Sequence, residues 1–455
     1  MKKLLKILAI LLLLFLIYIV LGLVIPPLFH KSGEAEAQNQ GTSAAQERVL
    51  SIDSNLDALL WRLRLIEAAR ERIVLTTFDF RDDNSGRDIM AALLHAADRG
   101  VEVQILVDGI NGGLHLTNSQ NFRQLAAHER VEVKLYNPID LLLPWKINYR
   151  MHDKYLIADD FAYILGGRNT DDLFLGNYAD TYNQDNDILV YETVPGEGGS
   201  YQQLQAYFDR IWELSCCQPY NDRGGGAGVL EEHYRQLRET YPQAFGETDW
   251  EAVTLETGGV ELCANPMEPE NKQPQLWDRL VEEMEQDADV LIITPYIIAS
   301  KQMYQDLTDV CAGASRVEMI LNAVEIGSNP FGCTDYLNQK QRVRETGLQV
   351  YEYAGAQALH TKLILIGEDV SVVGSCNFDM RSVYLDTEMM LVIDSPELNA
   401  VLRAQARGLQ AESRCVSPDG TVTEGEAYQP IEQGLGGKLL YGVLRVLIIP
   451  FRHLL

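Results

Sequence analysis

The sequence predicts an α/β protein made of two similar halves behind an N-terminal transmembrane helix. Three observations support this prediction. A His-x-Lys motif occurs twice, at His152 and at His360, with matching residues after it. Each copy follows a strand–helix–strand pattern, which is typical of βαβ units on a parallel or mixed sheet. The chain also begins with an uncharged apolar run, residues 7–25, that is long enough to span a bilayer.

Residues 1–30 are predicted to be an uncleaved membrane anchor. The apolar run ends at two prolines, and no small-x-small cleavage site lies directly after it, which disfavours the alternative of a removed signal peptide. Three lysines precede the run and favour a cytoplasmic N-terminus, which would place the remainder of a single-pass protein outside the cytoplasm. Residues 31–48, rich in Gly, Ala, Glu, Gln and Ser, are expected to form a polar tether.

The rest of the chain is predicted to form a first half at residues 49–199 and a second half at residues 257–435. Glycine-rich sequence marks residues 200–256 as a connecting segment with some helix. Each half is expected to begin with a strand, a helix and a strand, at residues 72–80, 86–99 and 101–109 and at residues 289–297, 301–312 and 316–324. Two further apolar strands follow each motif histidine, at residues 154–158 and 162–165 and at residues 362–366 and 370–373.

The repeated motif reads HDKYLIADDFAYILGGRN from His152 and HTKLILIGEDVSVVGSCN from His360. A lone histidine or lysine beside a strand is usually structural, and one His-x-Lys pair means little. Here a single shift of 208 residues aligns three functional residue types, namely His152 with His360, Lys154 with Lys362 and Asn169 with Asn377. Two copies in matching surroundings indicate a shared function.

These residue types suit chemistry on a phosphodiester. Lysines and asparagine amides can stabilise the charge that gathers on the phosphoryl oxygens in the transition state. One neutral imidazole can attack phosphorus while the other, protonated, donates to the leaving alcohol, so no metal or other cofactor is expected. Each histidine also needs a carboxylate to hold its tautomer. Asp187 and Glu388, in the acidic segments after the two motifs, are the candidates, with ordinary strand-end charges as the alternative.

The two motifs resemble the HxKxxxxD and G(G/S)xN motifs of the phospholipase D superfamily, over most of the chain after residue 50. The stretch GSCNFDMRSVYLDTEM, residues 374–389, is similar to that of bacterial cardiolipin synthases and their relatives. The resemblance implies the phospholipase D fold, in which two α/β/α halves related by a pseudo-twofold axis share one active site. It also implies a phosphohistidine intermediate, from which a second alcohol or water takes the phosphatidyl group.

Carried over to this chain, the resemblance makes His152 and His360 the nucleophile and the general acid, with His152 favoured as the nucleophile. The phosphate-binding residues implied by the two motifs are Lys154, Lys362, Asn169 and Asn377, together with Gly167 and Ser375 of the two turns. The first motif keeps its aspartate as Asp159, whereas the second has Gly367. Asp159 lies about 17 Å beyond the lysine along an extended strand, so it is expected to brace the fold.

The leading functional prediction is a phosphatidyltransferase of the bacterial cell membrane that makes cardiolipin from phosphatidylglycerol and a second phospholipid. Hydrolysis of phospholipids to phosphatidic acid uses the same residues and stays open, as does a membrane-anchored nuclease of the same superfamily. The net charge of −27 disfavours nucleic acid as a partner, since such binding depends on a basic surface. A non-catalytic descendant is disfavoured because both His/Lys/Asn sets are complete. The expected partners are phospholipids and the membrane, and the oligomeric state stays open.

The C-terminal segment, residues 436–455, is apolar but is interrupted by Arg445 and Pro450, so it is too short to span a bilayer. It is predicted to lie in the membrane interface, with a docked terminal helix as the alternative. The seven cysteines form no CxxC pair and no metal-ligand spacing. An extracytoplasmic location would allow a disulfide such as Cys311 with Cys333.

Overall fold

The computed structural model describes residues 2–29, 47–222, 229–269, 273–285, 289–327 and 329–455. Its strands form two large sheets, one in each half, and two short strand pairs. The first half contains β1 (Glu47–Ile52), β2 (Arg72–Thr77), β3 (Glu102–Asp108), β4 (Val131–Tyr136), β5 (Tyr155–Ala158), β6 (Ala162–Gly166), β7 (Asn183–Gln184), β8 (Asp187–Glu192), β9 (Cys217–Pro219) and β10 (Leu255–Glu256). The second half contains β11 (Gly259–Ala264), β12 (Asp289–Ile293), β13 (Ile297–Ile298), β14 (Arg316–Asn322), β15 (Gln349–Tyr353), β16 (Ala358–Leu359), β17 (Leu363–Ile366), β18 (Val370–Gly374), β19 (Phe378–Asp379), β20 (Met389–Asp394), β21 (Ser413–Val416) and β22 (Val422–Glu424).

The two large sheets have the same strand order. The first runs β10-β1-β8-β6-β5-β2-β3-β4-β9, and the second runs β11-β20-β18-β17-β12-β14-β15-β21-β22. Eight neighbouring strands of the first sheet, β1-β8-β6-β5-β2-β3-β4-β9, correspond one by one to β11-β20-β18-β17-β12-β14-β15-β21 of the second. Each strand has the same place and the same direction as its counterpart. The pairs β2–β3 and β12–β14 are parallel, as the strand–helix–strand pattern predicts, and β5 and β17 pair antiparallel with β2 and β12. The predicted α/β fold of two similar halves is confirmed.

Helices cover the faces of both sheets, whereas α1 (Lys2–Val24) stands apart from them. The other helices are α2 (Asn55–Ala68), α3 (Asn84–Asp98), α4 (Asn111–Leu116), α5 (Gln120–Ala126), α6 (Gly199–Trp212), α7 (Leu230–Thr240), α8 (Trp250–Val253), α9 (Gln275–Met284), α10 (Lys301–Gly313), α11 (Pro330–Glu345), α12 (Met380–Tyr384), α13 (Pro396–Ala411) and α14 (Leu435–Leu447). Short 3-10 helices occupy Pro26–Phe29, Pro144–Asn148, Pro242–Ala244 and Ile449–Leu454.

One apolar core lies between the two sheets and joins the halves. It contains Val74 of the first sheet, Ile293 of the second, Phe208 of α6 and Leu402 of α13. Two further cores lie on the outer faces of the sheets. The strands that follow the motif histidines, β5 and β17, are buried at every position because both faces of their sheets are covered. This shared core fixes the two motifs relative to each other.

Residues 200–256, expected to be a connecting segment, are instead part of the first half. Helix α6 packs into the core between the sheets, β9 pairs with β4, and β10 pairs with β1. The amphipathic sequence of α6 explains the difference, because Leu204, Phe208 and Ile211 form a buried face. The glycine-rich residues 223–228 lie outside the described residues, as do residues 31–46 of the predicted tether, whose last two residues begin β1.

The termini meet on one side of the protein. Helix α1 belongs to an apolar stretch, Lys3–Leu28, that is long enough to cross a membrane. Near the end of this stretch, Leu23 O accepts a 2.7 Å hydrogen bond from Asn148 Nδ2. The C-terminal α14 packs on α11, so it docks on the protein along one face. All seven cysteines are free thiols, so Cys311 and Cys333 are not joined.

Candidate active site

Two exchanged contacts between the halves position the motif histidines. Strand β16, just before His360, pairs in parallel with β7 of the first half. Met151, just before His152, forms a matching parallel bridge with Thr387 of the second half. Each histidine is therefore placed beside the segment that follows the other half's motif, as the pseudo-twofold arrangement requires.

His152 is held by a carboxylate of the second half. Its Nδ1 atom lies 2.8 Å from Glu388 Oε1, and its side chain is only 11% exposed. The edge of the Phe78 ring packs against the imidazole at 4.9 Å between ring centroids. Burial, followed by the charge of Lys154, holds the pKa of His152 well below its ordinary value. The neutral form of this imidazole is therefore favoured, with Nδ1 engaged and Nε2 as its remaining nitrogen.

His360 is held by a carboxylate of the first half. Its Nδ1 atom lies 2.6 Å from Asp185 Oδ2, and Phe174 packs against its ring at 4.8 Å between centroids. Burial, followed by the charge of Lys362, lowers the pKa of His360 to about 3. The arrangement repeats that of His152 with the halves exchanged.

The prediction that Asp187 holds a histidine is wrong. Its carboxylate is fully buried and accepts a 2.9 Å hydrogen bond from Arg62 NH1, and Arg168 NH1 lies 3.4 Å from it. Strand register explains the difference, because Asp187 pairs with Gly166 inside the first sheet, just as Met390 pairs with Gly374 in the second. The residue two places before Asp187, and the residue two places before Met390, lie outside these strand pairings and each contacts a histidine. These residues are Asp185 and Glu388, so the candidate Glu388 lies beside a histidine as predicted.

The two motif lysines lie buried beside their histidines. Lys154 Nζ donates to His152 O, and Lys362 Nζ donates to His360 O and lies 3.1 Å from His360 Nε2. Burial lowers the pKa of Lys154 to about 7 and that of Lys362 to about 8, and the positive charge of Lys362 contributes to the lowering at Lys154. Lys362 also lowers the pKa of His152, and Lys154 that of His360, so both motifs share one electrostatic environment. An anion placed among these groups would favour their charged forms.

Asn169 and Asn377 are both buried, with 8% and 7% of their surface exposed. The Oδ1 atom of each has no hydrogen-bond partner in the part of the chain that the structure describes. Buried amide groups are normally hydrogen-bonded, and both orphaned atoms sit at equivalent places in the two motifs. The two side chains are therefore suited to a ligand between the halves.

Gly167 and Ser375, predicted to bind substrate, contact the carboxylates instead. A Cβ on Gly167 would lie 2.5 Å from Asp185 Oδ2, so only glycine leaves room for that carboxylate. At the equivalent position, the buried Ser375 hydroxyl donates to Glu388 Oε2. Sequence reasoning missed Ser382, which donates to Glu388 Oε1 from α12. The serine in the RSVY stretch was a visible signal for this contact.

Asp159 braces the fold, in a position away from the histidines. It has a positive φ of 48°, and its carboxylate accepts hydrogen bonds of 2.7–2.8 Å from the backbone N–H groups of residues 70–72. Gly367 takes the same left-handed conformation with a φ of 56°, and Arg403 binds its carbonyl oxygen. In the second half, the equivalent of residues 69–71 is the segment 286–288. That segment lies outside the described residues.

The two histidine–carboxylate pairs differ in their charges. Arg168, buried behind the first motif, donates to Asp185 O, and Cys376 occupies the equivalent position in the second motif. The positive charges of Lys362 and Arg168, together with the hydrogen bond to His360, outweigh burial and hold the pKa of Asp185 well below its ordinary value. Burial raises the pKa of Glu388 to about 8, against the opposing effect of Lys154. Asp185 is thus the firmly ionised carboxylate of the two.

A family profile described as "Cardiolipin synthase, PLD-like domain" matches residues 63–212 and 280–409, more than half of the chain. The chain belongs to this family of phospholipase D-like enzymes. Cardiolipin synthase C of Escherichia coli is 26% identical over 395 residues, covering 76% of this chain and 81% of the relative. Cardiolipin synthase B of Shigella flexneri is 25% identical over 385 residues, covering 79% of both chains.

A solved structure supports the fold assignment. The phosphatidylserine synthase of Haemophilus influenzae superposes with a TM-score of 0.63 at 14% identity, covering 92% of this chain and 98% of that chain. At this identity the likeness shows the fold alone. Each of the two segments that match the family profile contains one of the two motifs. The phospholipase D fold therefore spans both halves described above.

Proposed function

We propose that the chain is a membrane-anchored phosphatidyltransferase that makes cardiolipin from phosphatidylglycerol and a second phospholipid through a phosphohistidine. The observation that carries this proposal is the pair of exchanged contacts, His152 with Glu388 and His360 with Asp185. Each contact engages Nδ1, so Nε2 is the nitrogen proposed to react, and at His360 the Lys362 ammonium lies 3.1 Å from it. The cardiolipin synthase relatives and the apolar α1 support a lipid substrate.

In the first step, His152 Nε2 attacks phosphorus and a P–N bond forms as the bond from phosphorus to the leaving alcohol breaks. His360 donates its Nε2 proton to the departing oxygen, so the alcohol leaves neutral. This role requires a cationic His360, and the ionised Asp185 at its Nδ1 stabilises that cation once the substrate anion is bound. The neutral His152 suits attack.

In the second step, His360 accepts a proton from the incoming alcohol, which attacks phosphorus and displaces His152. Lys154 and Lys362 stabilise the charge on the phosphoryl oxygens in both steps, and Asn169 and Asn377 donate to the same oxygens through their amide groups. These side chains supply the required charge, so we expect EDTA to leave turnover unchanged. Activity lost with EDTA and restored by one particular divalent ion would contradict this expectation.

Lipid analysis of a host that expresses the protein tests the function. We expect cardiolipin to accumulate with the intact chain and not with the His152→Ala variant at equal protein level. Phosphatidic acid in place of cardiolipin would identify water as the acceptor and overturn the transferase assignment. A matched control is Asp159→Asn, which alters a motif residue that braces the fold. This variant is expected to lower stability while cardiolipin still accumulates.

We also propose that α1 spans the bacterial cell membrane with its N-terminal lysines in the cytoplasm and the catalytic halves outside. A C-terminal fusion to alkaline phosphatase, which is active only outside the cytoplasm, tests this topology. An active fusion is expected, and an inactive fusion of normal abundance would reverse the orientation.

A further inference from the structure

Exposed apolar side chains form a collar around the end of α1, made of residues 139–143 and 435–451. Leu142 is 74% exposed, and Leu439 and Val446 of the C-terminal segment are 72% and 68% exposed. Monomeric soluble proteins rarely expose large contiguous apolar surfaces. The first part of the collar is joined to the anchor, since Tyr18 donates a 2.5 Å hydrogen bond to Leu142 O. The 3-10 helix that follows α14 is joined to it as well, since His453 Nε2 lies 2.9 Å from Val24 O.

The inner side of the collar is fixed, so its apolar side cannot turn inward. Tyr441 is buried in the core of the second half. Arg445 Nε donates to Asn338 Oδ1 at 2.8 Å, and Asn338 returns a hydrogen bond of 2.9 Å to Arg445 O. Arg452, in the 3-10 helix that follows α14, forms an ion pair with Asp335 of α11. The apolar residues of α14 are therefore held facing away from the protein.

The charge of the collar differs from that of the chain. The protein carries a net charge of −27, yet the collar contains Lys438 and Arg445 against one acidic residue, Asp140. An exposed apolar helix face with few acidic residues beside it is suited to the interface of a membrane, and Lys438 is exposed next to this face.

The collar is also close to the proposed catalytic residues. Asn148, which holds the end of α1, precedes His152 by four residues, so their Cα atoms are at most about 14 Å apart. Arg381 of α12 donates a 2.8 Å hydrogen bond to Asn148 O and one of 3.1 Å to Leu454 O. One arginine of the second motif region therefore ties the anchor-binding segment to the C-terminal segment.

We propose that the collar is embedded in the lipid–water interface of a phospholipid bilayer around α1, which holds the two-histidine site beside the lipid headgroups. The surface continues the membrane contact of the anchor, and it lacks the excess of acidic residues found in the chain as a whole. The proposal rests on the proposed function only in taking those lipids as substrates, because its test needs no turnover.

Spin labelling of the full chain in vesicles of phosphatidylglycerol and phosphatidylethanolamine tests the proposal. A nitroxide is attached to Leu142→Cys, to Val446→Cys and to the control Val422→Cys, and the signal of the parent chain with its native cysteines is subtracted. Val422 is a matched control because it is also an exposed valine, at 56%, and lies on the outer edge strand of the second sheet. Collision rates with oxygen, which enters the bilayer, and with a polar nickel chelate, which does not, report depth.

We expect the ratio of oxygen to nickel-chelate collisions to be higher at residues 142 and 446 than at residue 422. Equal ratios at all three positions would overturn the proposal. A high ratio at only one of the two collar positions would also overturn it, since the collar would then not be one surface. A chain that proves to hydrolyse lipids, or to be inactive, leaves these ratios unchanged, so the two proposals fail separately.

Discussion

Asp185 and His360 belong to different halves of the chain, yet Asp185 Oδ2 lies 2.6 Å from His360 Nδ1. The reciprocal contact, His152 Nδ1 with Glu388 Oε1 at 2.8 Å, makes the exchange symmetric. Each half therefore supplies a histidine whose carboxylate comes from the other half. A site built in this way depends on both halves, and neither motif is complete alone.

Substitution of Asp185 is expected to reduce catalysis, whereas substitution of Asp187 is expected to reduce stability. Asp185→Asn removes the negative charge that stabilises a cationic His360, so kcat should fall by about 10² to 10⁴-fold. Asp187→Asn leaves Arg62 and Arg168 without their buried partner, which should lower the free energy of unfolding by about 3–5 kcal/mol. Steady-state kinetics and thermal unfolding of both variants check the distinction. Equal kinetic losses in both would refute the assignment of Asp185.

Ser375→Ala is expected to slow turnover because Ser375 donates to Glu388 Oε2. The pKa of Glu388 is about 8, so the acceptor is a largely neutral carboxyl near pH 7. A hydrogen bond of this kind contributes about 0.5–1.5 kcal/mol, so a loss of roughly twofold to tenfold in kcat is expected. Ser371→Ala is the matched control, since the Ser371 Oγ atom is buried in β18 without a hydrogen-bond partner in the described part of the chain. Unchanged kinetics in Ser375→Ala would show that Glu388 needs no support from this hydroxyl.

Substrate capture is expected to weaken as pH rises through about 8. The pKa of Lys362 is lowered to about 8 by burial, so the free protein has a cationic Lys362 below that pH and a neutral one above it. The phosphodiester stays an anion throughout, and kcat/KM should therefore fall above pH 8. In Lys362→Arg the guanidinium stays charged, so kcat/KM should be lower and the fall near pH 8 should be lost, which leaves only the fall near pH 7 that Lys154 contributes. A parent profile that is flat or rising between pH 7 and 9 would contradict this account.

Much of the fold was predictable because its signals are local. The strand–helix–strand patterns at residues 72–109 and 289–324 alternate apolar runs with a helix, and the structure has β2, α3 and β3 and β12, α10 and β14 there. The role of α6 was not predictable in the same way. Its buried face packs against both sheets, which is a long-range contact, while the nearby glycines suggested a linker.

The site shows the same division. The repeat identified the histidines, lysines and asparagines because equal spacing is visible in the chain. The choice between Asp185 and Asp187 depended on strand register, since Asp187 faces Gly166 within the sheet and Asp185 lies beyond the ladder. Two carboxylates separated by one residue look equivalent in sequence, and only the pairing of β6 with β8 separates them.

The most direct test of the central claim is to identify the histidine that forms the covalent intermediate. A phosphodiester with a p-nitrophenol leaving group needs no general acid, so the first step should proceed in the His360→Ala variant while the second step, which needs His360 as base, is slow. Alkaline quenching and peptide mass spectrometry should then find the phosphoryl adduct on His152, and find none in the His152→Ala variant. An adduct on His360 in His152→Ala, with none on His152 in His360→Ala, would contradict the account.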